Sequence, residues 1–108
     1  MNTPVLAPVL AVALVSIAAG APAAEHTVTM KGMSYSPATL QAKVGDVVKF
    51  INDDAENHEV FVPTRGFGVD LGAQRPAATT ELPLLRAGSF EVECVMHPSM
   101  LLTVRVNP

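Results

Sequence analysis

Residues 89–106 read Ser89-Phe90-Glu91-Val92-Glu93-Cys94-Val95-Met96-His97-Pro98-Ser99-Met100-Leu101-Leu102-Thr103-Val104-Arg105-Val106, two alternating stretches on either side of a loop. In the first, Phe90, Val92 and Cys94 fall on one face and Glu91 and Glu93 on the other; in the second, Leu102, Val104 and Val106 oppose Thr103 and Arg105. Side chains that switch between apolar and polar at period two are those of strands with one buried face. The same pattern recurs toward the N-terminus. Val28 and Met30 alternate with Thr27 and Thr29; a run from Ala38 to Val44 is closed by the turn pair Gly45-Asp46; Val48, Phe50 and Asn52 share a face, as do His58, Val60 and Val62. Thr79 to Leu84 reads as an edge strand, because Pro83 has no N–H for a ladder. The stretch from Pro63 to Ala78, with three glycines and Pro76, reads as a long irregular connection. Seven short strands and no long helix predict an all-β, antiparallel Greek-key sandwich.

The chain has 108 residues, too few for two ordinary domains, and its charge is unevenly spread. Every charged residue lies at or beyond Glu25, so the net charge of −3 belongs wholly to residues 25–108. With 16% charged residues and a mildly negative balance, the chain has neither the basic surface of a nucleic-acid binder nor the composition of a disordered segment. The uncharged start has an apolar run from Val5 to Ala19, interrupted by Pro8 and Ser16, which is shorter than the roughly 20 residues of a spanning helix. Ala21 and Ala23 supply the small residues of an A-x-A cleavage site. Residues 1–24 are therefore expected to be a signal peptide cut near Ala23 or Ala24, and residues 25–108 an exported, periplasmic domain with no stable membrane insertion.

Small exported domains usually rely on paired cysteines or a metal, and here Cys94 is the single cysteine. It cannot form an internal disulfide. Such a thiol is buried and inert, paired with another chain, or committed to a metal or a reaction. Its neighbours favour a metal. Pro98 promotes a turn after Cys94, and the loop then offers a thiolate, an imidazole and a thioether from Cys94, His97 and Met100. One further imidazole completes two nitrogens, a strong sulfur and a weak sulfur, the donor set of a blue-copper electron-transfer site with a long axial Met. His58 starts an inward-facing strand at the end where this loop should lie, whereas His26 is next to the expected new N-terminus, so His58 is the chosen fourth donor. A nucleophilic Cys94–His97 pair is the sharper rival, but no carboxylate or carboxamide is evidently placed to orient His97 and Met100 would have no role. Zinc is chemically allowed, although a thioether is a poor ligand for it.

From Tyr35 to Asn107 the sequence resembles the cupredoxins, most of all the amicyanin branch, with plastocyanin and pseudoazurin more distant. The resemblance is carried by Tyr35-Ser36-Pro37-Ala38-Thr39-Leu40, by Val44-Gly45-Asp46-Val47-Val48-Lys49-Phe50-Ile51-Asn52, by His58 six residues later, and by the short Cys-x2-His-x2-Met loop of Cys94, His97 and Met100. It implies one copper per chain, an exposed ligand edge at His97 framed by Met96 and Pro98, and an Asn52 side chain that ties the first-histidine loop to the cysteine loop. The sequence departs from the family pattern in Asn57 and Glu59 around His58 and in the acidic Asp53, Asp54 and Glu56. That rim suggests a basic redox partner such as a c-type cytochrome, and a dehydrogenase partner does not follow from the resemblance alone. The expected protein is a monomeric, non-enzymatic carrier of single electrons between a donor and an acceptor protein. Copper storage or delivery is the alternative.

Overall fold

The computed structural model describes residues 2–5, 7–8 and 23–108, so most of the expected leader, residues 1, 6 and 9–22, lies outside the described residues. No helix among the described residues is long and apolar enough to cross a membrane. The chain forms nine strands: β1 (Glu25–Lys31), β2 (Ser34–Ser36), β3 (Thr39–Lys43), β4 (Val47–Asn52), β5 (His58–Val62), β6 (Val69–Gln74), β7 (Thr79–Pro83), β8 (Gly88–Glu93) and β9 (Leu101–Asn107). They make a four-stranded sheet in the order β2-β1-β4-β7 and a five-stranded sheet in the order β3-β9-β8-β5-β6. The all-β sandwich of the sequence reading stands, with two corrections.

The sheets are mixed rather than wholly antiparallel, because β1 runs parallel to β4 and β3 parallel to β9. A period-two pattern reports which face is buried and carries no information on strand direction. The strand count rises from seven to nine. β2 is three residues long with Tyr35 alone buried, too short to show a period. β6 lies inside the supposed irregular connection; Gly72 at φ +73 and a register shift against β5 break its alternation. Pro83 does sit on an edge strand, since β7 closes one side of the four-stranded sheet.

Inward residues of both sheets meet in one core. Val28, Met30, Val48 and Phe50 from the first sheet, and Val60, Val92, Leu102 and Val104 from the second, are fully buried. Each such side chain contributes roughly 1.5–3 kcal/mol by leaving water. Tyr35 packs its ring edge-on to Phe50, with centroids 6.2 Å apart. This core fixes the one end of the sandwich where β4 runs into β5 through residues 53–57 and β8 into β9 through residues 94–100. There β5 and β8 pair only at Phe61 and Glu93. Just past that pair the chain leaves the ladder at Cys94.

Candidate metal centre

Two consecutive turns shape the loop between β8 and β9. The His97 N–H donates to the Cys94 carbonyl at 3.1 Å, and the Met100 N–H donates to the His97 carbonyl at 2.9 Å. A chain that closes a turn every third residue returns Cys94, His97 and Met100 to related positions, which continued strand geometry could not do. Cys94 and Met100 are buried, and His97 keeps an open edge with its side chain 18% exposed. Met96 and Pro98 on either side of it are exposed.

His58 is brought to this loop by β5. Its ring is wholly buried, and its Nδ1 lies 3.2 Å from His97 Nδ1, while Cys94 Sγ lies 3.6 Å from the same His97 nitrogen. Ligand atoms of His58, Cys94 and His97 all fall within 4.8 Å of one another. His26, the histidine set aside at the sequence level, lies at the other end of β1 with its Nε2 on Asp46.

The outer nitrogens of both rings face carboxylates. His58 Nε2 is 2.8 Å from Asp54 Oδ2, and His97 Nε2 is 3.3 Å from Glu56 Oε2. A carboxylate accepts and does not donate, so in the neutral His58 ring Nε2 carries the proton and Nδ1 keeps its lone pair, and the Glu56 carboxylate favours the same tautomer of His97. Two Nδ1 lone pairs and a thiol sulfur thus converge on one buried point, where a cation is the natural partner. Carboxylate-backed imidazoles of this kind are the usual support of metal-ligating histidines. The hydrogen bond from His58 in turn holds the Asp54 carboxyl below its ordinary range. The Gly32 N–H donates to the same Asp54 oxygen at 3.1 Å and ties the β1–β2 turn to the site.

Asn52 is buried and satisfies three backbone groups: its Nδ2 donates to the carbonyls of Glu56 and Gln74 at 2.8 and 2.9 Å, and its Oδ1 accepts from Asp54 N–H at 3.0 Å. These bonds brace residues 53–57 against β6. They do not reach the cysteine loop, as the resemblance had implied for Asn52. That link is made by the Glu59 N–H, which donates to Cys94 Sγ at 3.3 Å. The Glu59 carbonyl accepts from the Tyr35 hydroxyl, whose burial pushes its pKa above the ordinary phenol value. The sequence reading missed Tyr35 and assigned Asp54 and Glu56 to a docking rim. Asp54 stands four residues before His58, a spacing that on a looped-out chain can return a carboxylate to the ring, but a carboxylate in a polar loop is usually solvated. Phe90, Val92 and Cys94 share the inward face of β8 and the residue that follows it. Phe90 stacks on Phe67 at 5.2 Å, and it sits four residues of strand, about 13 Å, from Cys94.

The family profile described as Cupredoxin-like domain matches residues 4–104. Methylamine utilization protein MauL of Methylorubrum extorquens is 37% identical over 90 residues, covering 82% of this chain and 79% of that protein. An oxidised amicyanin variant superposes with a TM-score of 0.72 at 27% identity, covering 76% of this chain and 81% of that one. A Cu(I) amicyanin variant gives a TM-score of 0.72 at 26% identity, covering 83% and 87%. The copper-containing nitrite reductase of Thermus scotoductus also matches, with a TM-score of 0.72 at 24% identity; this chain spans only 22% of its length, and the likeness shows the fold alone. Against these, the converging Nδ1 atoms and sulfur, with a buried thioether in the same loop, are arranged as a copper site.

Proposed function

Because this chain belongs to the cupredoxin-like domain family, we propose that it is an exported mononuclear blue-copper protein that carries single electrons between redox proteins. The observation that carries this reading is the convergence of His58, Cys94 and His97 within 4.8 Å, with Met100 fully buried in the same loop. His58 and His97 would hold copper through Nδ1, Cys94 through its thiolate, and Met100 as the weak fourth donor. Bound copper supplies a one-electron Cu(II)/Cu(I) couple.

The chain's own groups then set how well that couple works. Asp54 and the Asn52-braced loop hold the His58 ring in one orientation, and the Glu59 N–H partly neutralises the sulfur's negative charge. Cys94, His97 and Met100 are spaced by backbone hydrogen bonds within the loop, His97 N–H to Cys94 carbonyl and Met100 N–H to His97 carbonyl. A site held this way moves little when an electron arrives, and small movement means fast transfer. His97 is the ligand with an open edge, so the electron passes there, between the exposed Met96 and Pro98. No substrate bond is changed, which makes the protein a carrier and not an enzyme.

We place the processed domain in the periplasm on the strength of the expected leader, residues 1–24. Its partners are a redox donor and acceptor, a c-type cytochrome or a dehydrogenase. Electron carriage is tested against copper delivery by two measurements on the copper-loaded protein. A reversible one-electron wave with fast self-exchange is expected. Sluggish exchange together with transfer of the copper to an apo-protein would overturn the carrier reading.

A further inference from the structure

At the end of β1 remote from the copper site, Asp46 gathers three groups. It is nearly buried; its Oδ1 accepts from Ala24 N–H at 2.9 Å, and its Oδ2 lies 2.8 Å from His26 Nε2 and accepts from Lys43 N–H at 2.9 Å. Because the carboxylate accepts a hydrogen bond from Nε2–H, the Nδ1 of the neutral His26 ring is left with its lone pair. Ala24 and His26 stand two residues apart, and the Ala21–Ala23 pair expected to direct cleavage ends immediately before Ala24.

We propose that export trims the chain between Ala23 and Ala24, and that the freed terminus forms a second copper site: the Ala24 amine, the backbone nitrogens of Glu25 and His26, and His26 Nδ1. Four nitrogens from three consecutive residues close three fused chelate rings in one plane, a tetragonal set that suits Cu(II). Neither Glu25 nor His26 is proline, so both have an amide nitrogen to give. Binding releases one proton from the amine and one from each amide, so it strengthens as pH rises. Asp46 remains on Nε2 and orients the imidazole, as carboxylates do behind metal-bound histidines.

The cost is local. β2 pairs only with Thr29–Lys31, so the first residues of β1 have a neighbour on one side alone, β4, where Glu25 and His26 stand opposite Val47 and Val48. Chain ends fray readily, and peeling these two residues leaves the buried Val28 and Met30 in place. The proposal rests on the reading of the leader and is independent of the blue site.

The test uses the full chain, expressed with its leader, recovered from the periplasm and loaded with one copper. Its mass is expected to correspond to a chain beginning at Ala24. Titration with Cu(II), followed by electron paramagnetic resonance, should then show a second equivalent with tetragonal geometry and nitrogen splitting, with the first site's visible absorption unchanged. His26→Ala should lose the second equivalent and keep the first, and so should Glu25→Pro, which removes an amide nitrogen at a strand's first residue, where proline is tolerated. A chain that starts elsewhere overturns the proposal at its processing step. A chain that starts at Ala24 but binds no second copper, or binds it equally well after His26→Ala, overturns the assignment of ligands.

Discussion

Asn52, at 1% exposure, satisfies three backbone groups with one carboxamide. Asn52→Ala should therefore cost about 2–3 kcal/mol in denaturant unfolding, since it leaves buried carbonyls and an N–H without partners. Unchanged stability would mean that the loop of residues 53–57 finds other partners. Glu59 differs in kind. It acts through its peptide group, N–H to Cys94 Sγ and carbonyl to the Tyr35 hydroxyl, so the departure from the family pattern at this position leaves the sulfur's hydrogen bond intact. The candidate donor side chains were legible in the sequence because a thiol, two imidazoles and a thioether have few other uses together in a small sandwich. Asp54 and Glu56 were not: a carboxylate before a histidine looks the same whether it faces solvent or the ring. Only the fold turns Asp54 onto Nε2.

At the scale of elements, β4, β8 and β9 declared themselves by strict alternation, whereas β2 and β6 did not, one for want of length and the other because Gly72 and a register shift break its period. Parallel pairing of β1 with β4 was invisible for a different reason, since facing and direction are independent. The start of β8 shows how closely its edges are fitted. Gly88 has φ +138, and a Cβ there would lie 2.7 Å from Phe67 Cζ. Gly88→Ala is predicted to destabilise by about 1–3 kcal/mol through strain and displacement of the Phe67 ring, read as a lower melting temperature. An unshifted melting temperature would show that the ring yields freely. The β3–β4 turn carries a pH dependence. The Asp46 carboxyl is held down at about 2 from 3.8, first by the His26 hydrogen bond and then by the Ala24 and Lys43 N–H groups. A depressed carboxyl stabilises fully above its ordinary value and loses that contribution as pH falls through its folded value. The stability gap between the protein and Asp46→Asn should therefore be constant near neutrality and close between about pH 4 and pH 2; a gap that persisted below that window would contradict the assignment.

For the whole molecule, the proposed function makes the end that holds the donors also the docking end. Acidic residues there had suggested docking by charge, but Asp54 and Glu56 face the histidines and Asp53 lies 3.6 Å from Lys31. Around the open edge of His97 the exposed residues are Val95, Met96, Pro98 and Ser99, with the solvent-facing Glu56 carboxylate 3.3 Å from its Nε2. Docking led by apolar contact is the consequence: Met96→Ala should lower the bimolecular rate with a cytochrome several-fold, with rates only weakly dependent on salt. A steep fall with rising ionic strength would restore the charged rim as the leading contact. Beneath docking lies the claim that one thiolate and two imidazoles, set by the sandwich, hold copper ready for an electron. The measurement closest to that claim is the visible absorption spectrum of the oxidised, copper-loaded protein beside that of Cys94→Ala. An intense blue band in the first and its complete loss in the second are predicted; a colourless oxidised protein, or a blue band that survives without the Cys94 sulfur, would contradict it.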